Sequence, residues 1–383
     1  MPTALTKDEA RRFLLAHVGL ARGMRRGRAG IRQTLTALGC IQLDPLSPMG
    51  TNADLVVHAR VDRVRNGDVY SALLPIHAFE HFAKERCILP ASAFPQYRDQ
   101  AVQTPWWRLG ERSKRLPPAL VESVYEEVGR RGACTSRELE DRGPVEPIHW
   151  HGWSSTSKAT SMALEILWTR CRLVVAGRNA HGQKIYDLPS RALPEHHDRD
   201  AEPFERWGLL SRVAAAGLLA RAGGPCWSML SDVRTSPLPD EFVRAGLLEE
   251  VVVEGSSRPY LAPAGFRDHI GRGHRGDRMR IIAPLDPLIW DRKLVRQIFD
   301  FEYIWEVYKP ESKRRWGWYV CPLLQRGRLV GRIEARVRDG ALVVERLWPE
   351  DKQRFDMRAL DEALERHARA CRVDTVTWHG DRS

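Results

Sequence analysis

Two stretches of this chain repeat one order of elements, and that repetition constrains the fold more than any single residue does. From Leu116 to Pro189 the apolar spacing reads as a helix from Pro118 to Gly129 and a short helix opened by Thr135 and running through Leu139. A longer helix from Ser157 to Arg170 follows, with Ala159, Met162, Ala163, Ile166 and Leu167 on its apolar side. Two short runs, Leu173-Val174-Val175 and Lys184-Ile185-Tyr186-Asp187, then flank the polar tip Arg178 to Gln183. Three helices followed by a hairpin make a winged-helix unit, a variant of helix-turn-helix. From Glu202 to Pro263 the order recurs. Helices are expected over Phe204 to Ala222, around Trp227 to Val233 and over Pro239 to Ala245, and a hairpin over Leu248 to Val253 and Pro259 to Leu261.

The N-terminal helices are expected to make a first copy. Thr6 with Glu9 three residues later is a capping box that opens an amphipathic helix. A second helix, from about Ile31 to Leu38, ends at Gly39. After Gly276 the texture turns β-rich, with alternating runs over Trp316 to Leu324, Leu329 to Val337 and Ala341 to Leu347. Arg338-Asp339-Gly340 marks a tight hairpin. A helix from Met357 to Cys371 and a strand from Thr375 to Trp378 close the chain. The expected fold class is α+β, with about three tandem winged-helix motifs and a β-rich C-terminal region. Boundaries are expected at 1–115, 116–200, 201–275 and 276–383.

Lys plus Arg number 60 against 49 Asp plus Glu, a net charge of +11 over 383 residues. That excess favours a polyanionic partner. A membrane is the weaker choice, since no apolar run approaches the roughly 20 residues of a spanning helix. The first residues carry no charged-then-apolar signal segment, so a cytoplasmic, bacterial setting is expected. The seven cysteines are scattered and never form C-x-x-C, which reads as reduced, buried thiols. Residues 271–276 fit G-x-G-x-x-G literally but lack the flanking strand and helix, and read as a linker. His149-Trp150-His151 and His196-His197 lack completing ligands, so neither metal nor cofactor is expected. Trp106-Trp107 reads as packing.

A family emerges from several blocks. Ala10-Arg11 with Gly19-Leu20, and Leu38-Gly39-Cys40-Ile41-Gln42-Leu43-Asp44, resemble the opening and the catalytic strand of the winged-helix crosslink-repair DNA glycosylases, the AlkX/YcaQ and AlkZ group. Phe79-Glu80 with Leu89-Pro90 resembles their "FE…LP" block. Trp153, Lys158, Ala163-Leu164-Glu165 and Tyr186-Asp187-Leu188 continue the likeness, and the strongest block is Pro284-Leu285-Asp286-Pro287-Leu288-Ile289-Trp290-Asp291-Arg292. It extends through Glu306-Val307-Tyr308-Lys309-Pro310 to Val330-Gly331-Arg332. The resemblance implies a C-shaped arrangement around a DNA channel and metal-free removal of alkylated purines, including crosslinked ones. Its Gln-x-Asp form resembles the AlkX branch. Thr51 and Ala53 before Asp54-Leu55, and Lys84 where the family tends to carry His, depart from the pattern and bear on lesion preference.

Residues two apart on a strand share a face, so Gln42 and Asp44 are expected to project together, with Leu43 anchored in the core. A nitrogen-alkylated purine already carries positive charge and leaves without a strong general acid. What remains is to stabilise an oxocarbenium-like sugar and to place a water on it. An ionised Asp44 can do both, and Gln42 can orient the water or the carboxylate. The plainer reading of Asp44 is an Asp that closes a turn before proline. No lysine is singled out as a Schiff-base nucleophile, so an intact abasic strand is the expected product.

Lys158, the wing-tip residues Arg178 and Lys184, the hairpin-tip residues Arg326 and Arg328, and Lys313 with Arg314 are the candidate contacts to double-stranded DNA. A monomer with no obligate protein partner is expected. The rival reading is a non-enzymatic winged-helix transcription regulator, which explains the charge and the repeats but does not call for Gln42 beside Asp44.

Overall fold

The computed structural model describes residues 2–21, 23–103, 109–146, 157–270, 276–351 and 353–379. His149-Trp150-His151, Trp106-Trp107, Trp153 and residues 271–275 lie outside the described residues. The chain divides into two compact units. One comprises Met1–Val69, Ala83–Cys87 and Gly208–Ser383, and the other Tyr70–Phe82 and Ile88–Trp207. Among the described residues no helix is long and apolar enough to cross a membrane.

In the first unit, Thr6 accepts from the Glu9 amide and Glu9 reaches back, and this capping box opens the helix Lys7–His17. The next helix, Gly27–Leu38, starts a turn earlier than its apolar face suggests, because that first turn is solvated and leaves no periodic mark. Gly39, at φ 70°, ends it in the left-handed conformation that glycine adopts without strain. Phe204–Ala216 stops six residues short of Ala222. Gly217 turns the chain at φ 70°, and Leu219–Ala220 goes on as a strand. The expected hairpin forms, with its second strand extended from Leu261 to Pro263, and Leu248–Val253 with Pro259–Pro263 makes the middle of a four-stranded sheet. Thr3–Leu5 adds to it in parallel, with Thr3 opposite Val251, a strand too short to register as alternation.

The C-terminal sheet runs in the order Arg280–Ile281, Val320–Gln325, Arg328–Arg338, Ala341–Pro349, Thr375–Trp378. Its two tight turns place Arg326-Gly327 and Asp339-Gly340 at positive φ, as two-residue hairpins require. The helix Met357–Ala370 carries the chain over to the last strand, which runs parallel to Ala341–Pro349. At Gly331 a Cβ would meet the Trp348 carbonyl at 2.8 Å, so only glycine lets these strands approach.

In the second unit, the helices Pro118–Arg131 and Ala159–Thr169 pack beside a sheet ordered Val174–Arg178, Lys184–Asp187, Cys134–Thr135. The short helix expected over Thr135 to Leu139 is absent. Thr135 donates from its amide and its hydroxyl to Glu138, at 2.7 and 2.8 Å, closing a turn after a strand that places Cys134 opposite Tyr186. Ser157 and Lys158 are likewise strand, paired with Pro144–Val145, so the long helix begins at Ala159.

Candidate active site

The strand Ile41–Gln42 is shorter than expected, and Asp44 lies two residues beyond it. The extended path continues for one residue, since the Leu43 amide donates to the Arg86 carbonyl at 2.8 Å. Cys40 and Ile41, 3% and 0% exposed, anchor this segment, whereas Leu43 is only half-buried. The expectation that Leu43 holds the core is therefore corrected. The apolar residues that precede Gln42 do that work.

Gln42 is buried, and both its main chain and its side chain are pinned. Its carbonyl accepts from Asn52 Nδ2 at 2.8 Å, and Asn52 Oδ1 in turn accepts from the Leu285 amide at 3.0 Å. Its side-chain Oε1 accepts from Lys84 Nζ at 3.1 Å. The same ammonium lies 5.5 Å from the centre of the Trp290 ring, and the indole N–H of Trp290 donates to the Leu285 carbonyl. Blocks far apart in sequence thus converge on Gln42. A lysine ammonium can only donate, so the oxygen of the Gln42 amide must face it. The NH₂ group points elsewhere, as a donor.

Asp44 is half-buried. Its Oδ1 accepts from the Leu46 amide at 2.9 Å, the turn expected of an Asp before proline. Burial raises its carboxyl above the usual Asp range, and the Leu46 hydrogen bond only partly offsets this. The Tyr308 phenol is raised first by local desolvation and then by the charges of Asp44 and Glu85, although the residue as a whole is 87% exposed. Sequence reasoning quoted Tyr308 only within the Glu306–Pro310 block and gave it no role, because its exposure is not written in residue order. Buried Glu306 organises this loop, accepting from the Arg315 amide at 3.0 Å, the Trp316 amide at 2.8 Å and Lys309 Nζ at 2.9 Å. Burial works to raise the Glu306 carboxyl, but those donors hold it below the ordinary Glu range.

The supports beneath the site are buried too. Arg60 grips Asp286 with two hydrogen bonds, 2.7 and 2.9 Å, both side chains fully buried. Asp286 also caps the Leu288 amide at 3.0 Å. Thr51, one of the departures, caps the helix Asn52–His58 in a capping box with Asp54, and Ala53 is buried. Among the described residues, no group of three His, Cys, Asp or Glu side chains is placed to hold a metal ion.

The candidate DNA contacts differ in how free they are. Arg178 donates to buried Glu80 at 2.5 Å and lies over Tyr70, and Lys184 pairs with Glu165 at 2.6 Å above Trp168. These two cations are tied into their own unit. Lys158 pairs with Asp141 at 2.7 Å on the surface, and Arg326 with Asp277 at 2.9 Å. Lys313 and Arg328 are exposed, and Arg314 donates to the Lys309 carbonyl at 2.9 Å. Lys313 and Arg314 share with Tyr308 the loop that Glu306 organises.

A family model described as DNA glycosylase AlkZ-like matches residues 35–370. The chain belongs to the AlkZ-like DNA glycosylase family. It is therefore a DNA-repair enzyme that acts on DNA, and membership of the AlkZ-like family does not favour the regulator reading. Among solved structures, the Streptomyces sahachiroi DNA glycosylase AlkZ superposes with a TM-score of 0.62 over 98% of this chain and 100% of that chain. At 19% identity this likeness speaks for the mixed α+β fold alone.

Proposed function

We propose that this AlkZ-like glycosylase hydrolyses the N-glycosidic bond of nitrogen-alkylated purines, including purines joined in interstrand crosslinks, with Asp44 and Gln42 as the catalytic residues. One observation carries the reading. A half-buried carboxylate stands two residues from an amide that is hydrogen-bonded at both its main-chain and its side-chain oxygens. In this scheme Asp44 faces the cationic sugar and takes a proton from the attacking water. Gln42, its oxygen held by Lys84, serves as a hydrogen-bond donor that orients the water or the carboxylate. This refines the expectation that it offers donor and acceptor together. Tyr308 supplies an aromatic face beside Asp44 for the departing base.

The fold reading that accompanies this function is three winged-helix motifs with a β-rich C-terminal region. Its support is the recurrence of helices followed by a hairpin with a short third strand. A crosslinked base stays tethered to the opposite strand, and an open site suits it better than a closed pocket. The protein acts as a monomer on duplex DNA, with Lys313, Arg314 and Arg328 as its freest phosphate contacts and Lys158, Arg178, Lys184 and Arg326 as weaker ones. Incubation with an N7-methylguanine duplex and with a nitrogen-mustard crosslink tests the proposal. Free base should appear while the strand stays intact until alkali is added. Absence of base release, or strand scission by the protein itself, contradicts it.

A further inference from the structure

The first unit contains a second concave region that the Gln42–Asp44 chemistry does not use. A cavity of about 1080 Å³ opens between the start of the C-terminal sheet, the segment Val61–Asp68 and the end of the helix Met357–Ala370. Eight arginines and three aspartates line it. Asp62 is already committed, held by Arg278 at 2.6 and 2.8 Å, and Asp68 accepts from the Arg65 amide at 2.8 Å. Two of the arginines spend donors on neutral acceptors. Arg280 donates to the Ala59 carbonyl at 2.5 Å, and Arg366 to the Met279 carbonyl at 2.9 Å.

So many cations around one cavity repel one another, and burial deepens the cost. Burial, then neighbouring guanidiniums, pulls both Arg280 and Arg366 down to about 10, with Asp62, and Glu362 for Arg366, offsetting only part of it. His58 and His367 stack edge to face on the same wall, 5.3 Å apart, and burial holds them neutral, at about 4 and about 3. Neither ring nitrogen of His58 has a hydrogen-bond partner. A surplus of forked donors beside a neutral N–H donor matches the oxygens of phosphate, which guanidinium binds bidentately. The volume lies just above the roughly 300–1,000 Å³ of ligand pockets, room for more than one phosphate.

We propose that this arginine-lined cavity is a phosphate-binding site separate from the Gln42–Asp44 strand, taking either backbone phosphates of the DNA or a soluble phosphate compound. Only the DNA alternative rests on the glycosylase reading. The helix Asn52–His58 spans the two places, with Asn52 on the Gln42 carbonyl at one end and His58 at the cavity at the other.

The test uses the full chain, the double variant Arg366→Gln/Arg369→Gln and the single variant Arg372→Gln, whose side chain is exposed. Pyrophosphate binding is measured by calorimetry at constant ionic strength, and affinity for an undamaged duplex is measured as a function of salt. Wild type should bind pyrophosphate, the double variant at least tenfold more weakly. If DNA backbone is the ligand, the slope of log K against log salt should also shrink by about 0.9 for each phosphate that is no longer neutralised. Loss of pyrophosphate binding with an unchanged slope supports the cavity with a soluble ligand. A reduced slope without pyrophosphate binding supports it with DNA alone. Where melting shows the double variant misfolded, Arg372→Gln is read by the same criteria. Variants that match wild type in both measurements overturn the proposal.

Discussion

The ammonium of Lys84 donates to the side-chain oxygen of Gln42 across 3.1 Å, and so fixes which end of that amide faces the site. Replacing Lys84 with Met removes this cationic hold on amide rotation. A charge-assisted hydrogen bond is worth about 1.5–3 kcal/mol, so kcat should fall roughly tenfold or more, with little change in KM. Lys84→Arg, which retains the donor, should recover part of the loss. Equal activity in Lys84→Met and wild type would show that the amide needs no such hold.

The raised Asp44 carboxyl makes two linked predictions. In the proposed scheme Asp44 acts in its ionised form, so kcat/KM should fall on the acid side around a pKa above that of an ordinary Asp. Stability moves the opposite way. A carboxyl held higher in the folded than in the unfolded state binds protons more tightly when folded, so its stability contribution falls as pH rises through the folded pKa. Asp44→Asn should therefore melt above wild type at pH 7, and the gap should close as pH drops below the unfolded value. Melting curves of the pair at several pH values measure this directly.

Much of this was legible from residue order, and the misses have physical causes. The Asp-Gly turn, the closing helix and the hairpin at Leu248–Val253 follow from strong local signals, positive φ and 3.6- or 2-residue periodicity. Thr135 misled because a capping hydroxyl with Glu three residues on is also satisfied by a single closed turn. Gln42 and Asp44 were visible as a pair, but Lys84 registered only as a departure, since its contact spans 42 positions that no local pattern records. Arg178 and Lys184 looked like free wing cations. Their acidic partners, Glu80 and Glu165, lie on other elements, and only the fold brings them together.

The Arg60–Asp286 pair underlies the Pro-Leu-Asp-Pro block that carries Leu285 and Trp290. Both side chains are fully buried, so Asp286→Ala leaves an uncompensated guanidinium in the core. The expected cost is about 3–5 kcal/mol, read as a lowered melting temperature. A variant that melts with wild type would remove the pair from the structural account.

Lys313 and Arg314 share the loop that Glu306 organises. If each meets a phosphate, the variant Lys313→Gln/Arg314→Gln should weaken duplex binding for damaged and undamaged DNA alike. The salt slope should drop by about 0.9 per phosphate. An unchanged slope would place the DNA elsewhere.

The most direct measurement is single-turnover release of N7-methylguanine from duplex DNA by wild type and by Asp44→Asn, with enzyme in excess. Loss of a positioned general base costs about 10²–10⁴-fold, so the variant should be slower by at least a hundredfold while still binding the duplex. Base release at the wild-type rate would contradict the assignment of Asp44 as the residue that activates water and faces the sugar cation.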